Sequence, residues 1–283
     1  KHFNTEDYQK LKKERTIVYL RKTGNGPHMG LGVQPINDEE ENIIRETYQN
    51  GSLCGQIEDN RLIQFYVYNP LLVEEHKFDF RMYLLIASVN PLIAYYHDGF
   101  MRVSIIKYDK DAKENAVFLT NSHLAAELIT KAAAQNQTIE GRDEESLKDF
   151  QYWTLDELKE YLLEIGKITD SDWLDNYLRP EFKRAYIHIL RATQKSFLKN
   201  SSLFGLMGMD FTMDDNLNIW FIEGNSRPKI GGLNIPKRKY DNAVKMMSDL
   251  FDIIFGLLRS RLKRVILMIN KMSKIPKYKI GRA

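Results

Sequence analysis

The residues best suited to chemistry are two carboxylates and an amide that a hairpin would bring together. Asp210 lies in an apolar run, residues 206–213, and Glu223 and Asn225 lie in a second, residues 218–225. Asp214, Asp215 and Asn216 supply a turn between them. That turn places Asp210 roughly opposite residues 221–223. Glu223 and Asn225, two apart on a strand, project from one face. Their hard oxygen donors are of the kind Mg2+ takes alongside phosphates, although the same three residues also fit polar strand ends in solvent. A second group is Lys77, Asp79 and Arg81, alternating with Phe78 and Phe80. The charges share one face and the rings the other, which describes either a polar cleft above a buried sheet or an ordinary solvent face. In a third segment, the glycine-bearing loop 24–32, Gly30 and Gly32 let backbone amides approach an anion closely. The loop lacks the Lys-Ser/Thr ending of a P-loop and the spacing of a dinucleotide fingerprint. The six histidines show no metal-ligand spacing, and His28, His76, His97 and His123 read as surface or loop residues. Cys54 has no partner motif.

The elements that must position these groups are legible in outline. Residues 16–20 read as a buried strand running into the glycine loop, and Asn37 caps an acidic helix over 38–48. Three β-rich runs follow at 62–68, 77–88 and 92–107, the last broken by a hairpin turn at Asp98-Gly99. Helical patterns cover 122–134, 154–165 and 181–198, the middle one opening with a capping box, Thr154 with Glu157. The polar stretch 135–150 reads as a surface loop, and residues 239–269 show helical spacing again. Antiparallel strand pairs interspersed with helices predict an α+β fold and not a doubly wound parallel sheet.

A chain of 283 residues with 43% hydrophobic and 28% charged residues has material for a large core and is not disordered throughout. One cysteine excludes a disulfide framework and fits a reducing compartment. No apolar run reaches the roughly 18 residues of a membrane span. The first residues show no secretory signal pattern. The net charge of +3 conceals an asymmetry: from Arg259 onward Arg261, Lys263, Arg264, Lys271, Lys274, Lys277, Lys279 and Arg282 follow with no Asp or Glu, so the remainder is acidic. A basic tail over 259–283 fits an anionic partner or a solvated end.

Six segments, taken in order, resemble the tubulin tyrosine ligase-like family of ATP-grasp ligases. They are Gln64-Phe65-Tyr66-Val67-Tyr68-Asn69-Pro70-Leu71-Leu72, Lys77-Phe78-Asp79-Phe80-Arg81, Asp98-Gly99-Phe100-Met101-Arg102, Leu119-Thr120-Asn121, Phe204-Gly205-Leu206-Met207-Gly208-Met209-Asp210, and Trp220-Phe221-Ile222-Glu223-Gly224-Asn225. The resemblance implies an ATP-grasp-like fold with antiparallel sheets flanked by helices and a nucleotide cleft between two subdomains, residues 1–70 and 71–258, followed by the tail. It implies ATP and Mg2+ and an acyl phosphate formed on a protein carboxylate, generally of tubulin, which an amino acid's amine then attacks. By the same resemblance Gln64, Tyr66 and Val67 form the adenine hinge and Lys77 and Asp79 contact the nucleotide. Arg81 and Arg102 face the transferred phosphate or the acceptor carboxylate, Thr120 and Asn121 line the cleft, and Asp210, Glu223 and Asn225 bind magnesium. Tubulin or a microtubule, through its acidic tail, is the implied partner, in the cytoplasm, at microtubules or in a cilium; a protein imported into an organelle and cleaved would look the same.

The sequence also departs from the family's pattern. Tyr19 stands where a Lys is usual near the end of the first strand, and Arg21, two residues on, is the substitute expected on that face. Phe65 replaces a common basic residue, Gly205 a common Glu or Gln, and Ser226-Arg227-Pro228 the usual small-Ser-Pro run. Two functions therefore stay open: an active amino-acid ligase, and a catalytically degenerate relative serving as a structural or binding subunit of a larger assembly.

Overall fold

In the computed structural model, residues 6–14, 18–23, 33–49, 61–112, 120, 122–135, 137–197, 203–230 and 235–273 are described. Their alternating apolar patterns build two antiparallel sheets. The smaller has three strands, β1 (Tyr19–Thr23), β2 (Val33–Pro35) and β3 (Arg61–Phe65), in the order β2-β1-β3. Helix α1 (Glu6–Glu14) precedes it. Helix α2 (Asp38–Gln49) follows β2, its first turn closed by Asn37 Oδ1, which accepts from the Glu40 amide at 2.8 Å.

The larger sheet carries the core. Its main strands are β5 (His76–Val89), β6 (Leu92–Lys107), β8 (Gly205–Met213) and β9 (Ile219–Asn225), with the short β4 (Leu72–Val73) and β7 (Tyr152–Trp153) at its margins. The order is β7-β6-β5-β8-β9, and β4 pairs with β5. One face presents Phe78, Phe80, Met82 and Leu84 of β5 with Met101, Val103, Met209, Phe211 and Met213. Leu158 and Leu162 of α5 (Leu155–Glu164) and Phe182 and Tyr186 of α6 (Arg179–Thr193) pack on that face. Trp173 and Leu178, at the two ends of a π-helical turn (Leu174–Leu178), join the same cluster. The capping box forms as expected: Thr154 Oγ1 accepts from the Glu157 amide, and the Glu157 carboxylate accepts from the Thr154 amide at 2.7 Å. Helices α3 (Ser122–Ala134) and α4 (Glu144–Phe150) make a satellite cluster, Ala125, Ile129 and Leu147 on Ile105. Helix α7 (Lys237–Ser273) crosses the opposite face of the sheet, where Met246, Leu250 and Ile254 cover Tyr83, Leu85, Ala87 and Phe100. The basic segment from Arg259 to Ser273 is the end of this helix. Lys274, Lys277, Lys279 and Arg282 lie outside the described residues.

Four local expectations are corrected. Of the strand expected at 16–20, residues 16 and 17 lie outside the described residues, Val18 is not part of the strand, and β1 continues past Leu20 to Thr23. The 135–150 stretch contains helix α4, because Asp143 caps it by accepting from the Ser146 amide at 2.9 Å. His76 is buried and paired with Glu140 at 3.1 Å. Asp98-Gly99 makes no turn: β6 runs unbroken from Leu92 to Lys107, and the hairpin closes at Asn90-Pro91. Asp98 instead accepts from Arg179 of α6 at 2.6 Å. Gly99 is there because an added Cβ would overlap the Arg81 carbonyl oxygen and come within 2.9 Å of Met82 Cα.

Candidate functional site

The charged ends of β5, β6 and β8 converge on the sheet face that α5 and α6 leave free. Strand register sets Asp79 opposite Arg102 and Arg81 opposite Asp210, and directly opposed residues share a face. The result is a closed ionic lattice. Arg81 donates to both Asp210 oxygens, at 2.5 and 2.9 Å. Arg102 donates through Nε to Asp79 Oδ1 at 2.7 Å, through Nη2 to Asp79 Oδ2, and through Nη2 to Asp210 Oδ2 at 3.0 Å. Asp79 and Asp210 are 5% and 4% exposed, so these are desolvated pairs in which each charge depends on its partners. Burial pushes the Asp79 carboxyl upward, against the pull of Arg102. Asp79 and Asp210 hold the Arg102 guanidinium above its ordinary value despite its burial.

A bulge brings the remaining carboxylate in. Phe211 pairs with Phe221 but Asp210 pairs with Glu223, which leaves Ile222 as the extra residue of β9. Phe221 keeps its ring on the core side, 5.4 Å from Phe211. One residue later the strand is re-phased, so Glu223 turns to the face of Asp210. Asn225 lies opposite Gly208 and its amide nitrogen is 3.4 Å from both Asp210 Oδ2 and Glu223 Oε1. The sequence-predicted trio Asp210, Glu223 and Asn225 is thus assembled at one place. Two carboxylates and an amide oxygen are donors of the kind a hard cation takes, but here both Asp210 oxygens accept from arginines, Lys22 pairs with Glu223, and Asn225 presents its NH2 to the carboxylates. Among the described residues no group of three or more His, Cys, Asp or Glu side chains is placed to hold a metal ion.

The small sheet faces this lattice. Gln64 Nε2 donates to the Ile222 carbonyl at 3.0 Å, across from β3 to the bulge. Tyr66 is buried, and Lys77 Nζ lies 4.7 Å from the centre of its ring. Burial lowers the Lys77 amine to about 8, opposed by Asp79. Val67 is half-buried beside Tyr66, and Thr120 is half-buried. Gly30, Gly32 and Asn121 lie outside the described residues.

Arg21 is not where the sequence places it. Its guanidinium donates to Gln34 Oε1 at 2.6 Å and pairs with Glu40 at 3.1 Å, on the α2 side of the small sheet. The neighbouring Lys22 takes the inward place, its ammonium 3.2 Å from Glu223 Oε2. Strand parity explains the exchange: Leu20 of β1 and Val18 just before it are buried, so Lys22 shares the face of Leu20 and Tyr19 and Arg21 take the other. Counting from the buried Val18 and Leu20 finds Lys22. Lys239, on the first turn of α7, has no local signal that marks it. It lies 4.4 Å over the Phe100 ring, and burial together with Arg102, Arg81 and Lys229 lowers its amine to about 8. Among the described residues, Lys22, Lys77, Arg81, Arg102 and Lys239 lie beside the carboxylates Asp79, Asp210 and Glu223.

The tubulin-tyrosine ligase family model matches residues 9–258, which takes in every residue of this site. The chain belongs to the tubulin-tyrosine ligase family. Membership agrees with the mixed helix and antiparallel-sheet architecture and makes the fold ATP-grasp-like. Among relatives, the human protein named inactive polyglycylase TTLL10 is 28% identical over 173 residues, 60% of this chain and 24% of its own length. The protein polyglycylase TTLL10 of Macaca fascicularis is 27% identical over 173 residues, 60% of this chain and 26% of its own. The mouse tubulin polyglutamylase TTLL5 is 28% identical over 206 residues, 70% of this chain and 15% of its own. The chain therefore spans about a quarter or less of the length of these family members. No helix among the described residues is long and apolar enough to cross a membrane.

Proposed function

We propose that this chain carries the core of an ATP-dependent ligase that joins a free amino acid to a carboxylate of tubulin. The observation that carries the reading is the buried lattice of Asp79, Arg81, Arg102 and Asp210, set against Glu223 and Asn225, with Lys22, Lys77 and Lys239 beside it. It supports phosphoryl transfer, in which positioning and charge neutralisation do most of the work. Residues 1–70 and 71–258 supply the two sides of the nucleotide cleft. Gln64, Tyr66 and Val67 receive the adenine, and Lys77 and Lys22 the phosphates. Asp79 fixes the plane of Arg102, and Arg102 with Arg81 holds the phosphoryl group in transit and the carboxylate that accepts it. Asp210, Glu223 and Asn225 would hold Mg2+, which supplies charge neutralisation to the phosphates when bound. The acceptor carboxylate oxygen bonds to the terminal phosphorus as its bond to the bridging oxygen of ADP breaks. The amine of the incoming amino acid then bonds to the acyl carbon, inorganic phosphate leaves and the amine proton is lost. Relatives named as tubulin polyglutamylase and polyglycylase support this substrate class and, through it, a cytoplasmic setting at microtubules.

A second reading has a specific observation in its favour. Both Asp210 oxygens are taken up by arginines, which suits a charge-neutral structural centre in a degenerate subunit of a larger assembly. Incubating the full chain with tubulin, Mg-ATP and radiolabelled glycine or glutamate separates the two. Incorporation that is lost in Glu223→Gln supports the ligase. Retained nucleotide binding with no incorporation of any amino acid supports the degenerate subunit.

A further inference from the structure

The sheet-facing side of α7 carries a charge that packing does not call for. Lys239, Asn242 and Met246 succeed one another there at helical spacing. Met246 is buried against Tyr83, Phe100 and Tyr152, and the Asn242 amide donates to the Gly99 carbonyl at 3.2 Å. Lys239, the first of the three, sets its ammonium 4.4 Å over the Phe100 ring. Phe100 lies opposite Arg81 in the strand register, and Arg102 lies opposite Asp79. The ammonium therefore stands at the Arg81 end of the lattice, while Lys77 lies beyond Asp79 at the other. Pro228 closes the Arg81 end: a Cβ on Gly208 would come within 2.8 Å of Pro228 and 3.1 Å of the Arg81 side chain. Ile230, two residues on, joins the Phe100 cluster. The charges that act on Lys239 from these elements are Arg102 on β6, Arg81 on β5 and Lys229 between Pro228 and Ile230, all of them positive. With burial they lower its amine to about 8. Among the described residues no carboxylate pairs with it, whereas Asp79 and Asp210 are taken up by the two arginines and Glu223 by Lys22.

We propose that Lys239 receives the α-carboxylate of the free amino acid, on the side of the lattice away from the nucleotide. The inference rests on the ligase reading and names the place of its third substrate. Position separates this ligand from ATP: phosphates received at Lys77 lie at one end of the lattice and Lys239 at the other. Chemistry separates it from the protein acceptor, whose carboxylate becomes the acyl group between the arginines. The free amino acid keeps its α-carboxylate throughout and has to present its amine to that acyl carbon from an adjoining place. One carbon joins the two groups in an α-amino acid, so a carboxylate anchored at Lys239 keeps the amine beside the arginines. A carboxylate there also gives the ammonium the opposite charge that Arg81, Arg102 and Lys229 cannot supply, in a charge-assisted contact shielded by Phe100 and α7.

The test follows the full chain by NMR with 13C at the lysine ε-carbons, the Lys239 resonance being the one lost in Lys239→Met. Saturating glycine or glutamate, with a nonhydrolysable Mg-ATP analogue present, should make this amine hold its proton at least tenfold more tightly. Glycinamide and isoglutamine, which lack the α-carboxylate, should leave it unchanged. In the incorporation assay with tubulin, Lys239→Met should raise KM for the amino acid at least tenfold and KM for Mg-ATP less than twofold, and Lys239→Arg should recover most of the loss. The preference for the amino acid over its α-amide should fall at least tenfold in Lys239→Met, a readout that a purely structural lysine would not move. Tighter proton binding without incorporation keeps the carboxylate subsite and removes the ligase reading. Incorporation with the amino-acid KM unchanged in Lys239→Met keeps the ligase and overturns the subsite. A resonance that answers to neither amino acid, or to inorganic phosphate alone, also overturns it.

Discussion

Replacing Asp210 by Asn keeps the shape of the side chain and removes the charge on which two buried arginines depend. Three charge-assisted bonds end on this carboxylate: two from Arg81 and one from Arg102. At roughly 1.5–3 kcal/mol each their gross value exceeds 4 kcal/mol. Arg102 keeps its paired contact with Asp79, but Arg81 is left without an anion in a site where Asp210 itself is 4% exposed. Breaking one side of a buried pair costs about 3–5 kcal/mol, and Asp210→Asn should lower stability by that amount in metal-free buffer. Arg81→Gln should cost a similar amount. The double variant should recover part of the loss, with a coupling of about 2 kcal/mol or more between the two sites. Urea denaturation followed by tryptophan fluorescence, in EDTA, measures all three variants against the parent chain. A loss below about 1 kcal/mol for Asp210→Asn, or a coupling within the roughly 0.5 kcal/mol scatter of independent sites, would mean that the arginines do not hold this carboxylate in the free protein.

Lys22→Ala should weaken Mg-ATP binding at least tenfold by calorimetry and Arg21→Ala less than twofold, because only Lys22 faces Glu223 and the lattice; the opposite ranking would refute the parity assigned to β1. Burial lowers Lys77 to about 8 from its ordinary value of 10.5, so the unfolded chain holds this proton more tightly than the folded one. Its charge therefore costs stability below pH 8, and the cost is relieved as pH rises from about 8 toward 10.5. Lys77→Met should flatten that rise in urea midpoints measured between pH 7.5 and 10, and an unchanged slope would contradict it. Gly99→Ala drives a Cβ into the Arg81 carbonyl, and by forcing β5 and β6 apart it should cost more than about 4 kcal/mol. Gly205→Ala, with nothing within 4 Å of the added atom, should stay within about 0.5 kcal/mol, both read from soluble yield and thermal melts.

The alternation of Phe78 and Phe80 with Lys77, Asp79 and Arg81 makes β5 and both of its faces readable from the residues alone, and Thr154 with Glu157 does the same for the start of α5. Local patterns of this kind are written within a few residues. Sequence and structure part where a residue's reason lies elsewhere in the fold. Asp98-Gly99 has the composition of a hairpin turn, but Arg179 arrives from α6 to take the aspartate and β5 passes too close for a side chain at Gly99. Asp143 starts a helix inside a stretch polar enough to read as loop. The trio Asp210, Glu223 and Asn225 is legible by type and spacing. Its final register is not, because a single bulge at Ile222 decides which face Glu223 takes. Lys239 reaches the site only through the crossing of α7 over Phe100, which no window of sequence around it encodes.

Whether the lattice faces a bound magnesium nucleotide is the central question, and titrating Mg-ATP into the full chain tests it most directly. Saturable binding that EDTA abolishes is the expected result, with a stability gain of about 2.7 kcal/mol when ligand stands at a hundred times its dissociation constant. Glu223→Gln should lose the metal-dependent part. No heat and no thermal shift at millimolar Mg-ATP, with the chain folded, would contradict it.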